Sequence, residues 1–153
     1  MNNLLVKKLI EIALEEDISS GDITTESCIE LNHQSKAVLI AKQDMVFCGK
    51  EIFEEIFKIL DSNIKIKFYF KDGDFVKPGT EIANLSGLTH AILKAERTAL
   101  NFIQRLSGIA TNTHQIVSLV QGNAKVVDTR KTCLLYTSPS PRDQRGSRMP
   151  SSA

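Results

Sequence analysis

Apolar and polar positions divide the chain into short periodic segments. In residues 3–16 (NLLVKKLIEIALEE), Leu5, Leu9, Ile12 and Ala13 recur at helical spacing, which predicts an amphipathic helix with that face inward. The stretch DISSGDITTE (17–26) reads as a loop, with Gly21 and its Ser and Asp neighbours supporting tight turns. KAVLIA (36–41) and MVFC (45–48) read as short strands. Within GKEIFEEIFKIL (49–60), Ile52, Phe53, Ile56, Phe57 and Leu60 line one helical stripe. IKIKFYF (64–70) alternates strictly, predicting a strand with Ile64, Ile66, Phe68 and Phe70 inward and Lys65, Lys67 and Tyr69 outward. A Gly/Pro-punctuated turn (71–79) and a further strand, EIANLSG (81–87), follow.

A helical period then takes over, from Thr89 as N-cap to about Leu106, with Gly108 as an interruption and a second helical segment ending at Gly122. AKVVD (124–128) is apolar and β-branched, which predicts a buried strand, and the polar tetrad Thr129-Arg130-Lys131-Thr132 comes directly after it. Strands mixed with separate helices, then a helix pair feeding a buried strand, give the expected architecture. It is an α+β N-terminal domain over 1–106, followed at 107–132 by the start of an incomplete α/β (TIM-like) barrel that is cut off early. Residues 133–153 hold three of the four prolines and five serines and have no period, so they are expected to be disordered. Their abrupt onset and the opening CLLYTSPSPRD, which looks like the read-through translation of a sequencing adapter, mark them as non-native. A native flexible terminus is the alternative.

Composition narrows the function classes. With 153 residues, 42% hydrophobic and 24% charged, the chain is neither collagen, nor coiled coil, nor wholly disordered. A net charge of +1 from 19 basic and 18 acidic side chains gives no electrostatic case for nucleic acid or an anionic membrane. No apolar run approaches the ~18 residues of a membrane span, and no cleavable leader is recognisable, so a cytoplasmic protein is expected. Cys28, Cys48 and Cys133 are odd in number and lack CxxC spacing, which argues for buried free thiols over a disulfide framework or zinc site.

Two places invite chemistry. Arg130 and Lys131 follow the carboxyl end of the expected strand, where α/β folds gather ligand-binding side chains. Adjacent cations there need a counter-anion, either a nearby carboxylate or an anionic ligand, and a solvated loop is the plain alternative. On the helix beginning at Thr89, Ile92, Ala95, Ala99, Phe102, Ile103 and Leu106 form one arc, with Lys94, Arg97 and Asn101 opposite. Arg97 is thus either a solvated surface residue or an arm presented to another surface. Glu96 falls at the edge of the apolar arc and is expected to form a structural ion pair, be protonated, or face a polar interface. His33, His90 and His114 are scattered and read as surface or capping residues. Glu15-Glu16-Asp17 reads as a solvated helix end, since adjacent helical residues do not face one another. GDFVKPG (73–79) resembles the turn of biotinyl/lipoyl carriers, but Ser86-Gly87-Leu88-Thr89 stands where a modifiable lysine would be needed.

Gly21-Asp22-Ile23-Thr24-Thr25, then Glu96-Arg97 leading to Leu106-Ser107-Gly108-Ile109-Ala110-Thr111, then Asp128-Thr129-Arg130-Lys131-Thr132, together resemble the quinolinate phosphoribosyltransferase family over about residues 5–132. The resemblance implies an N-terminal α+β domain joined to an incomplete barrel. It implies a homodimer or higher homo-oligomer in which one subunit's N-terminal domain closes over its partner's barrel. The implied reaction turns quinolinate and 5-phosphoribosyl 1-pyrophosphate, with Mg2+, into nicotinate mononucleotide, pyrophosphate and CO2 on the way to NAD. By motif matching, Arg97 is the arginine lent across the dimer to quinolinate, and Thr129, Arg130 and Lys131 line their own subunit's pocket. The rest of the barrel text is replaced after residue 132, so no catalytic residue and no metal ligand is assignable, and the fragment is expected to be inactive alone. A molybdenum-transport phosphoribosyltransferase-like protein and a non-catalytic carrier-like or dimerisation module are the alternatives.

Overall fold

A computed structural model describes residues 3–18, 23–122 and 124–127. Among these residues nine elements follow in order: α1 (Asn3–Ile18), α2 (Ile23–Cys28), β1 (Gln34–Ile40), β2 (Met45–Val46), α3 (Lys50–Leu60), β3 (Lys65–Phe68), β4 (Phe75–Val76), β5 (Glu81–Leu88) and α4 (Thr89–Val120). β5 is the centre of an antiparallel sheet of order β1-β5-β3, and β2 pairs with β4 in a separate two-stranded ladder. The α+β architecture expected for the N-terminal part is present.

Register decides what each sheet face carries. Ala37, Leu85 and Ile66 share one cross-strand row, and Leu39, Ala83 and Phe68 the next, so their side chains point to one face. Lys36, Ser86 and Lys65 share an intervening row, as do Val38, Asn84 and Lys67, and these point to the other face. The alternation expected at 64–70 holds: Ile64 is buried, Ile66, Phe68 and Phe70 are half-buried, and Lys65, Lys67 and Tyr69 are exposed. α3 and α4 pack on the apolar face. Phe53, Ile56 and Phe57 of α3 are buried as the stripe predicts, with Phe53 meeting Phe57 at 4.8 Å and Phe68 edge-on at 5.7 Å between ring centroids. Ala95 and Ala99 of α4 are fully buried beside Ile92 and Ile103, and their small side chains let the helix sit close to that layer.

Several expectations are corrected. α1 turns a different face inward: Ile10 and Leu14 are buried and Val6 partly so, whereas Leu5, Leu9 and Ile12 stay exposed. Its apolar residues surround most of the helix, so spacing alone could not choose between two arcs roughly 120° apart. Of the stretch 17–26 read as a loop, Asp17 and Ile18 belong to α1 and residues 23–26 belong to α2. Gly108 does not interrupt a helix, because α4 runs unbroken for 32 residues. A lone glycine costs a helix only about 1 kcal/mol, and the packing of the preceding turns outweighs that. Thr89 is not the N-cap; Leu88 holds that position and Thr89 begins the helix. Residues 124–127 form no strand and are exposed. A buried strand must pair its backbone, and the antiparallel sheet offers it no parallel neighbour. Among the described residues there is therefore no barrel strand. Asp128 to Thr132 and the 133–153 tail lie outside the described residues.

The junction of β5 with α4 is heavily bonded. The Thr89 N–H donates to the His33 carbonyl at 2.9 Å, and its hydroxyl donates to the same oxygen at 3.0 Å. That hydroxyl lies 2.7 Å from both Ser35 Oγ and His33 Nδ1, which then act as donors to it. On the other side, buried Asp61 accepts the Leu88 N–H at 3.2 Å and the Asn63 N–H at 2.9 Å, tying the end of α3 to the end of β5. A Cβ added at Gly87 would stand 2.9 Å from Ile64 Cγ1 and 3.1 Å from Asp61 Oδ2.

A second set of bonds holds the β2–α3 corner to α4. The Cys48 N–H donates to Ser107 Oγ at 3.1 Å, Ser107 Oγ donates back to the Cys48 carbonyl at 3.2 Å, and the Val46 N–H donates to Thr111 Oγ1 at 2.9 Å. Gly49, at φ +112°, turns the chain into α3 where a Cβ would meet Leu106 Cδ1 at 2.9 Å. No neighbouring side chain caps α3; instead Asp72 Oδ1 accepts the N–H groups of Gly49 and Lys50 at 3.1 and 3.0 Å. Burial, and secondarily the Asp72 carboxylate, push the Cys48 thiol's pKa up. The expectation of buried thiols fails for Cys28, which is exposed, while Cys48 is half-buried.

Gly87→Ala should destabilise the fold by about 1–3 kcal/mol through overpacking, whereas Gly108→Ala, with nothing near its Cβ position, should stabilise it by about 0.5–1 kcal/mol. Urea denaturation monitored by circular dichroism reads both signs. Alkylation at pH 8 followed by peptide mass mapping should modify Cys28 faster than Cys48, because Cys48 is both less accessible and harder to ionise.

Candidate functional site

α4 leaves the sheet without an intervening loop, so the junction bonds fix which way its polar face looks. On that face His90, Lys94, Arg97 and Asn101 recur at helical spacing. The first three are each tied to an earlier part of the chain. The His90 Nε2–H donates to the Ile29 carbonyl at 2.9 Å. Lys94 Nζ meets Glu26 Oε1 of α2 at 2.7 Å, and Arg97 Nη1 meets Asp17 Oδ1 of α1 at 3.1 Å.

The two ion pairs are built in opposite senses. In the first, the Lys94 side chain is 23% exposed and Glu26 51%, so the acid faces water. In the second, Arg97 is 77% exposed and Asp17 only 22%, so the cation faces out. One guanidinium nitrogen is bonded, and the fork carries five N–H donors in all. Donors therefore remain for an external carboxylate or phosphate, the groups whose geometry a guanidinium matches. Arg97 lines neither the cleft between α1 and α3 nor the open groove of about 1100 Å³ between β1 and α4. It projects from an outer surface, on the side opposite the apolar arc, as its spacing predicts.

The other expected residues fare differently. Thr129, Arg130 and Lys131 lie outside the described residues, so the structure does not bring them together with Arg97. Glu96 forms no ion pair among the described residues and is exposed. It falls on the apolar side of α4 but stands over the β1–α4 groove, where solvent reaches it. His33 and His90 serve as hydrogen-bonding ties, and the His114 side chain is exposed. Ser86-Gly87 lies within β5, not on a hairpin where a carrier would present its lysine. No group of three or more His, Cys, Asp or Glu is placed to hold a metal ion among the described residues, and no helix among them is long and apolar enough to cross a membrane.

Asp17 and the Ser107–Thr111 pair were not anticipated as interacting groups. Asp17 had a legible signal: it shares the arc of Val6 and Ile10, the arc α1 buries, whereas Glu15 and Glu16 do not. Ser107 and Thr111 carried none, because short hydroxyl residues in a helix are equally compatible with solvent.

Comparison with known proteins bears on the family and the fold. Residues 22–107 match the family described as quinolinate phosphoribosyl transferase, N-terminal domain. A Bacillus subtilis protein named as a probable carboxylating nicotinate-nucleotide pyrophosphorylase is 42% identical over 133 residues, which is 86% of this chain and 46% of that protein. The chloroplastic carboxylating nicotinate-nucleotide pyrophosphorylase of Arabidopsis thaliana is 38% identical over 128 residues, 83% of this chain and 36% of that one. Among solved structures, the nicotinate-nucleotide pyrophosphorylase of Francisella tularensis superposes with a TM-score of 0.80 at 40% identity, covering 86% of this chain and 47% of that one. The chain thus spans less than half the length of these relatives.

Proposed function

The chain belongs to the quinolinate phosphoribosyltransferase family, and from that premise we propose that the protein transfers phosphoribose to quinolinate with loss of CO2, in NAD biosynthesis. The ring nitrogen of quinolinate attacks the anomeric carbon of 5-phosphoribosyl 1-pyrophosphate, and pyrophosphate leaves with the electron pair of the broken C–O bond. The 2-carboxylate then departs as CO2, its electron pair stays on the ring carbon, and a proton taken up there gives nicotinate mononucleotide. The observation that carries this reading is Arg97, 77% exposed and anchored through one nitrogen on the outer face of α4.

Each part of the chemistry asks for cations. Quinolinate is a dicarboxylate, and a guanidinium fork both binds and orients a carboxylate. Fixed positive charge also favours the electron-rich ring left when CO2 departs. An arginine on an outer face serves such a pocket when a second copy supplies the rest of it, so the proposal includes a homodimer or larger homo-oligomer. Arg97 is the lent arm, and Thr129, Arg130 and Lys131 of the other copy line the pocket it enters. Mg2+ belongs to the proposed reaction, but the described residues hold no ligand set that fits it. A cytoplasmic setting is part of the same proposal.

Neither alternative is favoured. The position a carrier would modify lies within the central strand, and the named relatives are carboxylating pyrophosphorylases or quinolinate phosphoribosyltransferases.

In a full-length family enzyme carrying residues 3–127 of this chain, Arg97→Ala should weaken quinolinate binding by about 1–3 kcal/mol, as for a lost hydrogen bond to a charged group. Isothermal titration measures it, and unchanged affinity would remove Arg97 from the pocket. The 153-residue chain alone should form no nicotinate mononucleotide from the two substrates, assayed by chromatography; any formation above background contradicts the two-part site.

A further inference from the structure

We propose that Asp17 is a positioning residue that holds Arg97 extended for its carboxylate ligand; this rests on the reading of Arg97 as the lent arm.

Three observations converge on Asp17. It shares the buried arc of α1 with Val6, Ile10 and Leu14, and its side chain is 22% exposed, while its neighbours Glu15 and Glu16 face solvent. It sits in the last turn of a helix ending at Ile18, where the helix dipole disfavours a negative charge. A carboxylate placed there against both burial and the dipole needs a compensating cation, and Arg97 of α4 is the one the structure provides, at 3.1 Å. The contact then takes only one guanidinium nitrogen.

The contrast with the neighbouring pair gives this arrangement its direction. Lys94 and Glu26 bury the cation and expose the acid, which suits a tie between α4 and α2. In the Asp17–Arg97 pair the acid is half-buried and the cation exposed. A free arginine samples many rotamers, and a ligand that captures it must immobilise it. With Nη1 held from the α1 side, part of that ordering is complete before the ligand arrives, and the remaining N–H donors face outward. Asp17 also opposes an incoming anion electrostatically. At an exposed head group that repulsion is screened by water and salt, whereas the ordering benefit is not.

The test uses a full-length family enzyme carrying residues 3–127 of this chain. Asp17→Asn should raise the KM for quinolinate about fivefold, the scale of freezing one long side chain, with kcat and the KM for 5-phosphoribosyl 1-pyrophosphate little changed. Asp17→Glu should recover most of the loss, and Glu26→Gln, which breaks the adjacent pair, should leave quinolinate KM unaltered. Asp17→Ser replaces the amide variant if the latter disturbs the α1–α4 contact. A quinolinate KM that is unchanged or lower in Asp17→Asn, while Arg97→Ala still loses quinolinate, overturns the positioning role. If Arg97→Ala itself leaves quinolinate binding intact, the functional reading of Arg97 fails instead, and the two failures are told apart by that one variant.

Discussion

The passage from Leu88 to Thr89 is the constraint on which the rest of the structure depends. A central strand becomes a long helix with no loop between them, so the backbone must change conformation within a single step. That step is stabilised from both sides. The Thr89 hydroxyl and N–H are bonded to the end of β1, and buried Asp61 receives the Leu88 N–H from the end of α3. Gly87 is hydrogen-sized because Ile64 and Asp61 occupy the room a side chain would need. Given that junction, the apolar arc of α4 falls on the sheet and on α3, and its polar face falls toward α1 and α2.

This division explains why the ion pairs contribute orientation more than stability. Phe47, Phe53, Ile56, Ile82 and the α4 alanines belong to one apolar cluster, and the ion pairs lie at its margin, where an exposed pair contributes at most about 1 kcal/mol. What they set is which side chain looks outward and how freely it moves. Lys94 and Arg97 stand three residues apart on one helix face, yet one is drawn in and the other held out, and the pairs differ in which partner is the less exposed.

Strict periodicity made α3 and β3 legible. The stripe from Ile52 to Leu60 and the alternation from Ile64 to Phe70 each fit one period, and burial follows both. α1 was legible as a helix but not as an oriented one, since Leu5, Leu9 and Ile12 were as apolar as the Val6–Ile10–Leu14 arc that is buried. Local propensity misled at Gly108 and at residues 124–127. Tertiary packing carries α4 through the glycine, and β-branched residues form no strand without neighbours to pair with. Arg97 was legible by its angle to the apolar arc, but its acidic partner was not, because the contact joins residues 80 apart in sequence. Arg130 and Lys131 keep only the standing that sequence gives them.

The hydroxyl bonds of Ser107 and Thr111 to the β2–α3 corner bear on more than that corner. With the Thr89 junction they make two bearings for one shaft, the farther bond, at Thr111, lying 22 residues of helix, or about 33 Å, from Thr89. A slack of about 1 Å at either bearing therefore tilts the axis by only roughly 2° over that baseline. Whatever is joined beyond Val120 inherits its aim from those two supports, and side chains that look incidental in the sequence act as the mount that keeps it true.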